Sequence, residues 1–123
     1  MNDSKGVFGK RSEEQAVHLL RQNGYRILAR NVRAKFGEID VVAKDGKTLC
    51  FVEVKARRGL GFGFPEEGVN GQKQWRLTRL ASWYLQSRRL AEVPVRFDVV
   101  SILLGEEGSA VRTRLIKGAF EAA

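Results

Sequence analysis

Apolar positions follow helical spacing near both ends of the first two-thirds of the chain and strand spacing between and after them. In SEEQAVHLLRQNG, Ser12 to Gly24, the residues Ala16, Val17 and Leu20 form one helical stripe. Ser12 with Gln15 three residues on has capping-box form, and Gly24 stands where a helix stops. YRILARNVR, Tyr25 to Arg33, predicts a strand. EIDVVAK and TLCFVEVKA then alternate or run apolar, with β-branched residues throughout, and Asp45-Gly46 between them predicts a hairpin turn. RRGLGFGFPEEG carries too much glycine for a regular element and predicts a mobile loop. NGQKQWRLTRLASWYLQSRRLA, Asn70 to Ala91, places Leu77, Leu80, Ala81, Tyr84 and Leu85 on one stripe, which predicts a long amphipathic helix. VRFDVVSILLG after Pro94 predicts another strand, and AVRTRLIKG a weaker one. The order αβββαβ(β) predicts a mixed sheet with helices on its faces, in a single domain over residues 1–123.

The hairpin is interrupted by charge. Strand alternation puts Glu38, Asp40 and Val42 on one face and Ile39, Val41 and Ala43 on the other, with Glu53 and Lys55 sharing the face of Leu49 and Phe51. A two-residue Asp45-Gly46 turn sets Asp40 opposite Phe51, whereas a four-residue loop sets it opposite Glu53. Either register is expected to keep Asp40, Glu53 and Lys55 on one face. Carboxylates held that close repel unless a cation lies between them, and oxygen ligands suit a hard divalent ion such as Mg²⁺. The competing reading is a solvated strand face with Glu38 and Glu53 paired across the hairpin; Asp40 weighs against it, because aspartate is depleted in strands.

Composition narrows the class of partner. Twenty-two Lys and Arg against fourteen Asp and Glu give a net charge of +8 and a pI near 10.2, which favours a polyanion. The arginines gather at Arg26, Arg30 and Arg33, at Arg57 and Arg58, and at Arg76, Arg79, Arg88 and Arg89. Cys50 is the only cysteine and His18 the only histidine, so an intrachain disulfide, a Cys/His zinc site and a histidine triad are all excluded. GLGFGF lacks the Gly-Lys-Ser/Thr of a phosphate loop. MNDSKGVFGKRSEEQ carries no apolar run of a signal peptide, and VVSILL is too short to span a bilayer, so a cytoplasmic protein with no membrane partner is expected.

GEID followed one hairpin later by FVEVKARR resembles the bacterial YraN-like family of predicted endonucleases. EEQAVHLLRQNGYRILARN, FGFPEEGVNGQKQWRL, ASWYL and RFDVVSI stand in that family's order and spacing, so the resemblance covers most of the chain. It implies the three-layer fold of restriction endonucleases and archaeal Holliday junction resolvases, a mixed central sheet flanked by helices. It implies a catalytic set of Asp40, Glu53 and Lys55 joined by a glutamate of the first helix, and a motif position at Lys73. Ile39 stands where restriction endonucleases often have proline, and Gly68 where the family more often has alanine.

On this basis Asp40 and Glu53, with the Val54 carbonyl, are expected to bind Mg²⁺ or Mn²⁺, Lys55 to orient water, and Glu13 to hold the water or a second metal. Glu13 is preferred to Glu14 because it precedes Ala16, Val17 and Leu20 by three, four and seven residues, whereas Glu14 points with His18 and Arg21. Its bland alternative is an acidic residue in a helix first turn. Arg33, Arg57, Arg58, Lys73 and Arg76 are expected to contact nucleic acid, with DNA, branched DNA included, as the expected substrate; a homodimer is as compatible with this as a monomer. The rival expectation is a nucleic-acid-binding or scaffold protein of the same fold without useful catalysis. Phe62, Phe64 and Trp75 are candidates for base stacking, Tyr84 is expected in the core, and Asp98 is expected to anchor arginine or backbone groups.

Overall fold

The computed structural model describes residues 7–58, 71–105 and 110–122, with side chains described for 11–57, 71–105 and 112–122. The Arg58 side chain and Phe62, Phe64 and Gly68 lie outside the described residues. Two helices, α1 (Val7–Gln22) and α2 (Gly71–Ser87), flank five strands: β1 (Arg26–Ala34), β2 (Gly37–Asp45), β3 (Thr48–Arg58), β4 (Val95–Leu104) and β5 (Ala110–Phe120). The strands lie in chain order; β3 and β4 run parallel, joined through α2, and every other pair is antiparallel. The result is the expected α/β fold, a mixed sheet between two helices, consistent with a restriction-endonuclease-like architecture. No helix among the described residues is long and apolar enough to cross a membrane.

Each helix covers one face. Ala16, Val17 and Leu20 of α1 pack on Val41, Ala43, Cys50, Val52, Val100, Ile102 and Leu104. Leu77, Leu80, Ala81 and Tyr84 of α2 pack on Ile39, Val42, Leu49, Phe51 and Phe97, with the Phe51 ring edge-on to Tyr84 at 5.6 Å. Completely buried, Phe51 alone contributes about 2–3 kcal/mol of hydrophobic stabilisation.

Three local expectations are corrected. The first helix begins at Val7, so Ser12 is a buried interior residue and not an N-cap; no proline precedes it to stop the spiral. Glu13 is therefore well inside the helix, and the first-turn explanation of it falls. The second helix ends at Ser87 instead of continuing to Ala91, because Arg89 takes a left-handed conformation (φ 56°) and the Leu90 amide turns back to the Leu85 carbonyl at 2.8 Å. In the hairpin, Asp45 pairs with Thr48 and the turn is Gly46-Lys47, with Gly46 (φ 63°) supplying the positive φ that the first central position of such a turn requires. That register, with Val42 opposite Phe51 and Val41 opposite Val52, has the count of the longer-loop alternative, and its paired residues end before Asp40. Gly24 does end α1 as expected: its φ is 87°, and the Tyr25 amide returns to the Leu20 carbonyl at 3.0 Å.

Candidate metal centre

The β2–β3 ladder stops at Val41 and Val52 although both strands continue past it. At the next position Asp40 takes up the slack with its side chain, its Oδ2 accepting the Val54 amide at 2.8 Å. Strict alternation also fails here. Val41 and Ala43 pack beneath α1, as parity requires, but Ile39 packs with Val42 beneath α2. The neighbouring strand changes with it: Asn31, across from Asp40 in β1, adopts a left-handed conformation (φ 52°). Asparagine tolerates that region better than most residues. The switch sends the Asn31 amide group towards α1, where Nδ2 donates to Glu13 Oε1 at 3.1 Å.

Three carboxylates meet at this break. Oxygens of Glu13, Glu38 and Asp40 all lie within 4.8 Å of one another, with Glu13 and Asp40 buried and Glu38 half-buried. Two oxygens bound to one hard cation at 2.0–2.6 Å are at most about 4–5 Å apart, so the group fits a divalent ion with little side-chain adjustment. Glu13 reaches it from the stripe expected, beside Ala16, Val17 and Leu20, while Glu14, His18 and Arg21 are exposed and Glu14 pairs with Arg30 at 3.0 Å.

Of the other expected residues, some line an adjoining groove and the rest stand elsewhere on the sheet. Glu53 lies outside it; Glu53 Oε2 is 4.0 Å from Lys73 Nζ, and Glu38, Glu53, Lys73 and Arg76 together line a groove against Leu77 and Leu80 of α2. Glu38 belongs to both groups and so connects Asp40 to Glu53 and Lys73. Lys55 is half-buried on β3, level with Ser101 of β4. Val54 touches Asp40 through its amide. Arg33 is exposed, with Nε 3.7 Å from Glu38 Oε1, and Arg57 is exposed further along β3. Sequence reasoning missed Asn31 and left Glu38 out of the metal set. Asn31 had a signal, an asparagine inside a strand, where it is depleted; Glu38 had none beyond its spacing to Asp40, because its role follows from the break in β2.

The far end of the sheet holds a second carboxylate group of different character. Asp98, fully buried, accepts Tyr25 Oη at 2.6 Å, Arg96 Nε at 2.8 Å and Nη2 at 2.9 Å, and the Gly118 amide at 2.9 Å. Arg96 continues to Asp45 at 2.8 Å, and Lys117 joins Asp45 at 3.2 Å. This is the anchoring role expected of Asp98.

A three-layer α/β domain whose central strands part around a carboxylate group defines the class. The particular family comes from comparison with known proteins: the model described as "Uncharacterised protein family UPF0102" matches residues 12–102, and the chain belongs to that family, the YraN family. It is 48% identical over 115 residues to the UPF0102 protein of Syntrophus aciditrophicus (strain SB), covering 94% of this chain and 89% of the relative. It is 51% identical over 114 residues to the UPF0102 protein of Symbiobacterium thermophilum, covering 93% and 96%. The UPF0102 protein of Caldicellulosiruptor saccharolyticus matches over 117 residues at 43% identity, covering 95% and 99%.

Proposed function

We propose that the protein is a metal-dependent nuclease that hydrolyses phosphodiester bonds in nucleic acid, DNA being the expected substrate. The observation that carries this reading is the group of buried Glu13 and Asp40 with half-buried Glu38 at the parting of β2 and β3, next to a groove lined by Lys73 and Arg76. Asp40 is the central ligand, oriented by the Val54 amide. Glu13, steadied by Asn31, and Glu38 would complete the oxygen donors, with Glu53 in the adjoining groove as a further carboxylate outside the group. Bound there, Mg²⁺ or Mn²⁺ supplies positive charge for the developing oxyanion and lowers the pKa of a water. Lys55 would be the cation that positions a water or a phosphate oxygen. Arg33, Arg57, Lys73 and Arg76 meet the phosphates of a polyanion, in keeping with the net charge of +8.

The test is incubation with supercoiled, linear, single-stranded and four-way-junction DNA in Mg²⁺, Mn²⁺ or EDTA, with Asp40→Asn alongside. Cleavage that needs the metal and Asp40 is expected. Metal-independent binding with no cleavage of any substrate would instead identify a binding protein of this fold.

A further inference from the structure

On α2, outside the groove, Trp75, Arg79 and Trp83 follow one another at i, i+4 and i+8 and share one helical stripe about 12 Å long. The β1–β2 turn lies against the same helix. A Cβ placed on Gly37 would come within 3.1 Å of Leu80 Cδ1 and 3.5 Å of Arg76 Cδ, so the glycine permits a closer approach than a larger residue would. That approach brings Phe36 beside Arg79. The Arg79 guanidinium is 4.9 Å from the Trp75 ring centroid and 5.8 Å from that of Phe36, within cation–π range of both. Trp75 is 55% exposed and Phe36 42%, and neither belongs to the two core clusters. An open groove beside them is lined by Arg33, Ala34, Lys35, Phe36 and Trp83. Glu38, 3.7 Å from Arg33, touches this strip from the metal-centre side.

We infer that this strip binds an unpaired nucleic-acid strand, with bases stacked on Trp75 and Phe36 and phosphates on Arg33, Lys35 and Arg79. The inference rests on the nuclease reading for its biological setting and adds the form of the substrate. Exposed rings alternating with cations match the two surfaces of a single strand, its base faces and its backbone. A duplex hides its base faces within the stack and leaves the rings without a partner. Stacking and phosphate contacts do not involve the sugar 2′ position, so DNA and RNA strands should bind alike.

The experiment is fluorescence anisotropy in EDTA, where cleavage cannot intervene, with labelled oligo-dT and oligo-U of about 15 nucleotides and a duplex of equal length. Wild type should bind both single strands more tightly than the duplex. Trp75→Ala and Phe36→Ala should each weaken single-strand binding about 10-fold and leave duplex binding nearly unchanged, while Trp75→Phe restores most of the loss. Both positions are exposed, and circular dichroism confirms that the variants fold. In Trp83→Phe, where Trp75 is the one remaining tryptophan, its emission should be quenched by oligo-dT. Equal affinity for strand and duplex, or full binding by both alanine variants, overturns the inference. So does displacement by poly-glutamate as effective as by oligo-dT, which would point to an acidic protein partner. Loss of cleavage with stacking intact removes only the nuclease reading, and cleavage without single-strand preference removes only this one.

Discussion

Asp98 and Asp40 are both buried aspartates inside strands, yet their surroundings are opposed. Asp98 is met by an arginine fork, a phenol and a backbone amide. Burial alone would raise its pKa, but the donors from Arg96, Tyr25 and Gly118 outweigh that and hold it below the usual carboxylate range. The same burial raises Tyr25 well above its ordinary value, and it pushes the Cys50 thiol up to about 12. Asp40 accepts the Val54 amide and stands with two further carboxylates within 4.8 Å. A carboxylate saturated by donors ties strands together, whereas carboxylates gathered on each other gain nothing for the fold from their mutual repulsion. Sequence alone makes both residues strand aspartates between apolar neighbours; their partners separate anchor from candidate ligand.

The largest expected effect breaks the anchor. Asp98→Ala leaves Arg96 and Tyr25 without their buried acceptor and should cost about 3–5 kcal/mol, lowering the melting temperature by roughly 10–20 °C. Asp40→Asn should leave the melting temperature unchanged or raise it, since removing one charge relieves repulsion with Glu13 and Glu38. Thermal melts of the two variants side by side decide it. Equal losses would mean that both aspartates serve the fold and would weaken the metal reading.

The second effect is on rate. Asp40→Asn should reduce Mn²⁺ affinity in calorimetry, with excess Mn²⁺ recovering part of any cleavage. Lys55→Ala should leave metal binding in place and cost about 10²–10³ in rate, the usual loss for one group that stabilises the transition state. If both variants cleave like wild type, these residues are not the catalytic set.

A third, smaller effect is the pH dependence of stability. Because Asp98 titrates lower in the folded protein than in the unfolded chain, its contribution is complete above the ordinary aspartate value of about 3.9 and fades as pH falls below it. Tyr25 titrates higher when folded, so the unfolded chain loses its proton first and stability declines as pH rises past about 10. Denaturant melts across pH should show both limbs. Asp98→Asn should flatten the acid limb and Tyr25→Phe the alkaline one.

Much of the fold was legible because its signals are periodic. The apolar stripes of both helices, Gly24 as a stop and the five strands follow from spacing alone. What spacing could not give were breaks in periodicity. Alternation assigned Ile39 to the face of Val41, but the left-handed Asn31 and the end of the β2–β3 ladder reverse that face at Asp40. The position of Glu13 on the core stripe was readable from helical geometry. The inclusion of Glu38 was not, because it depends on where two strands separate. Ser12 misled because a capping box looks the same inside a helix that starts earlier.

The smallest effect sharpens the comparison at its edge. Lys73 and Arg96 are both cations beside carboxylates, but Lys73 lies 4.0 Å from Glu53 with its side chain 49% exposed, whereas Arg96 is held at 2.8 Å by both Asp45 and Asp98. An exposed pair at that distance contributes about 0–1 kcal/mol, so Lys73→Ala should barely move the melting temperature. Its consequences should appear in binding. Removing a cation from beside Glu53 takes away a competitor for metal, so Mn²⁺ affinity should rise by roughly 2–5-fold, less than a kilocalorie. The loss of one phosphate contact should lower the slope of log K against log salt on duplex DNA by about 0.9. Calorimetry and anisotropy across a KCl series measure the two shifts in one variant, and their opposite signs distinguish a binding residue from a structural one. Arg96→Ala, the matching variant at the anchored end, should do the reverse, lowering the melting temperature and leaving both binding measurements of the surviving folded protein unchanged. Should Lys73→Ala instead melt as Arg96→Ala does, the groove is held by its ion pair as firmly as the anchor is, and the contrast between the two ends fails.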